Sequence, residues 1–132
     1  MRYLLDTNIC IYLIKKKSKK VVTKLSTIET SNVGISSITL SELEYGVEKS
    51  SNPEKNRIAL LEYVSTLEIY NYDDRAALEY GIIRADLERR GLTIGSLDML
   101  IAAHAKSLSL ILVTNNEKEF KRVKDLVVEN WV

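Results

Sequence analysis

The feature that most constrains this chain is a set of apolar runs too short to be helices, each followed directly by a helical pattern. YLL (residues 3–5) and LILVT (110–114) read as buried strands by composition. SNVGISS (31–37) holds another near 33–36, LEIYNY (67–72) a fourth, and a last one falls near 126–129. Between them the spacing predicts helices over 7–16 with Thr7 as N-cap, over 18–29 with Val21, Val22, Leu25 and Ile28 on one face, and over 38–50 with Leu40, Leu43 and Val47 inward. Pro53 opens the next helix, where its missing N–H is harmless, and Ile58, Leu61, Val64 and Leu67 form its stripe. Residues 73–91 give the longest helix, opened by Asp73 and Asp74 and closed by Arg89, Arg90 and Gly91. Residues 96–107 are a very apolar helix, and a short one covers 117–123. Strands alternating with helices imply an α/β fold, with a mainly parallel sheet covered on both faces. In such a sheet ligands bind beyond the carboxyl ends of the strands. Residues 1–132 read as one domain, since the chain has a single proline, no internal repeat and no low-complexity tract.

RYLLDTN (residues 2–8) then poses a problem. A carboxylate, Asp6, stands between YLL and the next apolar segment, ICIYLI, where desolvation costs most. Three further acids share this oddity: Glu42 within ITLSELEYG, Asp98 within SLDMLIAA, and Glu119 just before Phe120. Asp98 is the most telling, because Leu97, Leu100, Ile101, Ala102 and Ala105 surround it. A helix cap or a salt bridge to a buried arginine would each explain Asp98, and so would a functional role. Taken singly, Asp6 fits a structural turn, and Glu42 and Glu119 fit helix surfaces. Taken together, two acids at strand ends and two on apolar helices can converge at one end of a parallel sheet. Like charges at close range then call for a cation. An all-carboxylate donor set suits a hard divalent ion, Mg²⁺ or Mn²⁺. Softer ligands are missing: Cys10 is the one cysteine and His104 the one histidine. His104 lies six residues after Asp98 and points away from it, as a structural or rim residue. Cys10 sits within an apolar helix and reads as unreactive. Carboxylate-bound metal is suited to phosphodiester hydrolysis.

Charge adds less. The formal net charge is +1, so the chain as a whole is not a basic nucleic-acid binder. Lys15, Lys16, Lys17, Lys19, Lys20 and Lys24 nevertheless crowd ten residues, and KEFKRVK (118–124) makes a second cluster. Such runs are ordinarily solvated helix faces, and they also suit a phosphate backbone. With no signal peptide, no span-length apolar run and no possible internal disulfide, the expected setting is the cytoplasm, with no membrane contact.

LLDTN, ISSITLSELEYG, GSLDMLIAAHA and LVTNNEKEF, in this order, resemble the PIN-domain ribonucleases, most closely the VapC toxins of type II toxin–antitoxin modules. The resemblance runs from Tyr3 to the closing ENW. It implies a PIN-like three-layer α/β/α sandwich. It also implies a Mg²⁺-dependent endoribonuclease that leaves 5′-phosphate and 3′-hydroxyl ends on RNA. Asp6, Glu42 and Asp98 match family metal-binding acids. The terminal motif departs from the usual T-x-D/N-x-x-D-F: Asn116 stands where an acid often stands, and Glu119 replaces the aspartate before Phe120. Either can complete the site, with Glu119 the expected fourth acid. Thr7, Asn8, Thr114 and Asn116 match supporting polar positions. Lys15, Lys16, Lys17, Lys19, Lys20, Lys118, Lys121 and Arg122 are the candidate RNA contacts. The implied substrate is a tRNA anticodon loop, that of initiator tRNA for the subtype it most resembles, and its cutting would inhibit translation. The implied partners are a VapB-like antitoxin, a second copy in a homodimer, and operator DNA through the antitoxin alone. A phosphatase reading fails because Asp6-Thr7-Asn8 lacks the second aspartate of a D-x-D motif. A non-catalytic PIN-fold binding module, acting only in the antitoxin and operator complex, stands as the alternative.

Overall fold

A computed structural model describes all of residues 1–132. Five strands, β1 (Tyr3–Leu5), β2 (Val33–Ser36), β3 (Glu68–Tyr70), β4 (Ile111–Val113) and β5 (Val128–Glu129), form one sheet in the order β3-β2-β1-β4-β5. Every pairing is parallel. Parallel neighbours need long crossovers. The crossovers here are the helices α1 (Thr7–Lys15), α2 (Lys19–Ser26), α3 (Ser37–Lys49), α4 (Pro53–Val64), α5 (Asp74–Arg90), α6 (Ser96–Ser107) and α7 (Glu117–Phe120).

Side-chain alternation along such short strands sorts the core into two layers. Tyr3, Leu5, Val33, Ile35, Ile111 and Val113 pack with Ile9, Leu13, Leu43, Val47 and Leu60 of α1, α3 and α4. Leu4 and Leu112 point the other way, against Ile83, Leu87, Ile101, Ala102 and Phe120 of α5, α6 and α7. Leu4, Leu5 and Leu112 are wholly buried, each worth about 2 kcal/mol of transfer free energy. The three-layer α/β/α sandwich expected above is therefore what forms. The chain leaves β1 through α1–α4 on one face and returns to β4 through α5 and α6 on the other. The direction of winding reverses at β1, and such a switch point opens a crevice at the carboxyl edge.

Several boundaries differ from expectation. The N-cap of α1 is Asp6, whose side chain accepts from the Ile9 N–H; Thr7 is already the first helical residue. α2 ends at Ser26, and Val22 is exposed instead of lying on the inner face. β3 keeps three of the six residues expected, because it is an edge strand with Glu68 and Ile69 both exposed. α7 stops at Phe120, and the chain then turns through Asp125 at φ 63°. Gly34 in β2 is required by close approach: a Cβ there would lie 2.5 Å from the Tyr70 ring. No helix is long and apolar enough to cross a membrane.

Candidate active site

Register aligns the strand ends. Leu5 pairs with Val113 and Leu4 with Gly34, so Asp6 and Thr114, just past β1 and β4, stand in one row with Ser36, the last residue of β2. The Asp6 N–H donates to the Val113 carbonyl at 3.0 Å, which continues the sheet ladder one residue beyond the strand. By alternation this row faces α6, as Leu4 and Leu112 do.

Asp6 is only 6% exposed. Its Oδ1 accepts the Ile9 N–H at 2.9 Å, so the carboxylate caps α1 while it faces the crevice. Burial pushes its carboxyl above the usual range and the charge of Glu42 adds to that; the Thr114 side chain and the Ile9 and Asn8 amides pull the other way. Thr114 itself is fully buried, and its Oγ1 accepts the Asn116 N–H at 2.9 Å.

Glu42 projects from the second turn of α3, and its Oε1 accepts the Thr7 hydroxyl at 2.8 Å. Thr39, one turn earlier and buried, lies 3.4 Å from the same hydroxyl oxygen. Glu119 sits on α7 beside Phe120, which is 1% exposed and anchors that short helix. The Asn116 amide donates to Glu119 Oε2 at 3.0 Å. Asn116 is thus a donor that orients Glu119, and the two possible fourth groups act as a pair.

Asp98 is the third residue of α6 and half-buried. It is not the cap: Gly95 takes that position, and no side chain bonds there. No arginine pairs with it either; the salt bridges of the chain lie elsewhere. Its carboxyl is pushed up to about 6, first by burial and then by the charges of Asp6, Glu119 and Glu42. Both structural explanations open at the sequence level therefore fail, and Asp98 is the group on which the charges of the other three acids bear. The surroundings are also less closed than the sequence suggests, since Leu97 is exposed. No three of these groups close into a ready-made metal cage. Like charges without a counter-ion repel, so an open arrangement is the physical expectation. An oxygen-only donor set with one half-buried carboxylate lacking any partner fits a hard divalent cation.

The supporting and basic residues divide. Asn8 is exposed at the start of α1. The Asn115 amide donates to the Tyr12 hydroxyl at 3.0 Å, tying the loop after β4 to α1, a link that the sequence reading missed. Lys15 lines an apolar groove of about 330 Å³ with Ile11, Ile14, Leu43, Val47 and Leu60, and Glu42 lies at the same groove. Lys16, Lys17, Lys19, Lys20 and Lys118 are exposed. Lys121 faces Glu117 at 3.5 Å. Arg122 is engaged elsewhere: its guanidinium donates to the Thr93 carbonyl at 3.0 Å, and its own carbonyl accepts from Arg90. His104 is not at the rim; it is 1% exposed. Ser36 was also missed, although VGISS carries the same signal as LLDT and LVTNN, an apolar strand ended by a small polar residue.

A parallel sheet with a switch point at β1, and four acids carried just past β1 and on α3, α6 and α7, is the class of protein seen here, and the PIN domain matches residues 3–126. Ribonuclease VapC2 of Rickettsia felis is 46% identical over 132 residues, covering 99% of this chain and 98% of that protein. The tRNA(fMet)-specific endonuclease VapC of Salmonella typhimurium is 44% identical over 131 residues, covering 99% and 98%. VapBC2 from Rickettsia felis, solved on a DNA fragment from its promoter, superposes with a TM-score of 0.94 at 45% identity over the whole of both chains. DNA-bound VapBC from Salmonella typhimurium gives 0.94 at 44%, over 100% of this chain and 99% of that one. This chain belongs to the VapC ribonucleases of the PIN-domain family.

Proposed function

We propose that this chain is a divalent-metal-dependent endoribonuclease, the toxin of a VapBC-type module, in which Asp6, Glu42, Asp98 and Glu119 hold Mg²⁺ or Mn²⁺. Asp98 carries the reading: a half-buried carboxylate with no hydrogen bond, whose charge is opposed by three neighbouring acids. A cation is the partner that such a group lacks. When bound, it would acidify a water and stabilise charge on the phosphate and the leaving oxygen. The protein's part is placement. The α1 cap fixes Asp6, Thr7 fixes Glu42, and Asn116 fixes Glu119. Water attacks the phosphodiester in line and leaves 5′-phosphate and 3′-hydroxyl ends.

The substrate is a tRNA anticodon loop, in keeping with relatives named tRNA(fMet)-specific endonucleases. Loops expose bases and backbone that a duplex hides. The exposed lysines of the α1–α2 segment and Lys118 are suited to its phosphates. Cutting initiator tRNA would stop translation in the cytoplasm, where the substrate resides. The apolar groove beside Glu42 offers a seat for a VapB-like antitoxin segment, with a basic residue reaching the acids. Residues 1–132 act as one PIN domain in a homodimer, and operator DNA is reached through the antitoxin, consistent with the DNA-bound VapBC complexes among the relatives.

The test is total RNA incubated with antitoxin-free protein and Mg²⁺, beside Asp6→Asn and Asp98→Asn variants and an EDTA control, with cut ends mapped by sequencing. A discrete cut lost in both variants and with chelator supports the proposal. Absence of cutting by folded protein in both Mg²⁺ and Mn²⁺ would overturn it in favour of a binding module.

A further inference from the structure

His104 is wholly enclosed, on a stretch of α6 where Ala102, Ala103 and Ala105 are also at 0% exposure. A leucine would fill such a place without the cost of burying two ring nitrogens. Nδ1 lies 2.7 Å from Ser36 Oγ, a contact spanning 68 residues of sequence. Burial lowers the imidazole's proton affinity, against the charge of Asp73 and the Asn71 backbone. A neutral ring accepts the Ser36 hydroxyl at an unprotonated Nδ1. Tyr72 meets the ring edge-on at 5.4 Å and Tyr70 at 6.5 Å.

Ser36 is also the N-cap of α3, its Oγ accepting the Ile38 N–H at 3.0 Å. Next to it, the Ser37 hydroxyl oxygen accepts the Tyr72 N–H at 3.0 Å. One imidazole therefore ties α6, the helix of Asp98, to the start of α3, the helix of Glu42. Asp98 lies six residues up α6, about 9 Å along the axis. The mutual repulsion of the acids acts to drive these two helices apart, and the cross-link opposes it.

We infer that His104 and Ser36 form a positioning cross-link that limits how far the Asp98 and Glu42 helices can separate, so that their carboxylates can close on a divalent cation. His104 touches neither acid and is no catalytic residue. The inference rests on the metal-site reading above. It separates cation affinity from the chemical step: losing the cross-link weakens the metal site, and saturating metal restores the spacing.

The experiment is Mn²⁺ binding by calorimetry on antitoxin-free protein, well below the melting temperature, with RNA cleavage titrated against Mn²⁺ in parallel. His104→Leu is expected to raise the Mn²⁺ Kd about 10-fold, in the range typical of groups that orient metal ligands. Its kcat at saturating Mn²⁺ should stay within about 3-fold of wild type. His104→Asn can keep the Ser36 bond and should recover part of the affinity. Ser36→Gly, which preserves an acceptable N-cap, reads the same bond from its other side and serves if His104→Leu does not fold. A merely structural histidine would lower the melting temperature of these variants and leave the Kd in place, and that result overturns the inference. Asp98→Asn separates the two ideas. If it abolishes Mn²⁺ binding while the cross-link variants bind normally, only the cross-link falls. If it too binds normally, the metal-site reading falls with it.

Discussion

Asp6 ends a strand and Asp98 begins a helix, and the protein treats the two carboxylates in opposite ways. Asp6 lies deep, caps α1 and receives the Thr114 side chain, so its charge is shared among fixed donors. Asp98 is nearer the surface, and nothing in the chain bonds to it. One acid is held by the fold, and the other waits for something outside the fold. A buried polar group without a partner costs stability. Carrying that cost among other acids, beside rigid neighbours, is how a binding site differs from a defect in packing.

Substitutions sharpen this contrast. In RNA cleavage the two should look alike: Asp6→Asn and Asp98→Asn are each expected to lose about 10²–10³-fold in rate at fixed Mg²⁺, measured with a synthetic anticodon stem-loop. A variant retaining near-normal activity would remove that acid from the site. Asn116→Ala leaves the Glu119 carboxylate without its donor and should cost about 10-fold in the same assay. An unchanged rate would mean that Glu119 needs no orienting.

In stability the two should part. Asp6→Ala deletes the cap and should lower unfolding free energy by about 1–2 kcal/mol in urea titrations, whereas Asp6→Asn keeps the cap and much of that stability. Asp98→Asn should do the reverse in EDTA at pH 7.5, gaining on the order of 1 kcal/mol, since partial solvation reduces the full effect of its shift. The sign follows from linkage. The folded-state value, about 6, lies above the usual 3.8, so between those values the native state binds more protons than the unfolded chain. Metal-free protein should accordingly gain stability through Asp98 as pH falls from 7 towards 5. Urea midpoints over that interval test it, and a slope that persists in Asp98→Asn would assign the effect to another group. Excess Mn²⁺ should flatten the trend, because the cation competes with the proton.

The outcome at individual residues shows what patterning conveys. Strand β1, strand β2, the start of α4 and the whole of α6 fall where apolar runs, Pro53 and the flanking polar residues put them. Edges are where the reading slipped. β3 shortens because only one neighbour supports it, and α7 ends early because Phe120, not helix propensity, decides where that segment docks. The four acids stood out because each interrupts an apolar segment. Their partners did not, since Thr7 and Asp6 exchange the cap, and the supporting place read for Asn116 takes its form, a donor to Glu119, only in the fold. Arg122 looked like one more cation in a basic run until its guanidinium met the Thr93 carbonyl.

The sequence by itself determined the alternation of strands and helices, the parallel three-layer architecture and the small set of acids that do not belong in a core. Local periodicity and desolvation cost are written residue by residue, so a single chain displays them. Only the tertiary structure decided that Asp98 has no partner while Asp6 has several, that His104 reaches Ser36 across 68 residues, and that Glu42 leans on Thr7. Those facts depend on strand register and on how α6 crosses the sheet. Both are set by the packing of Leu4 and Leu112 against α5, α6 and α7, which is a property of the assembled core and of no single stretch within it.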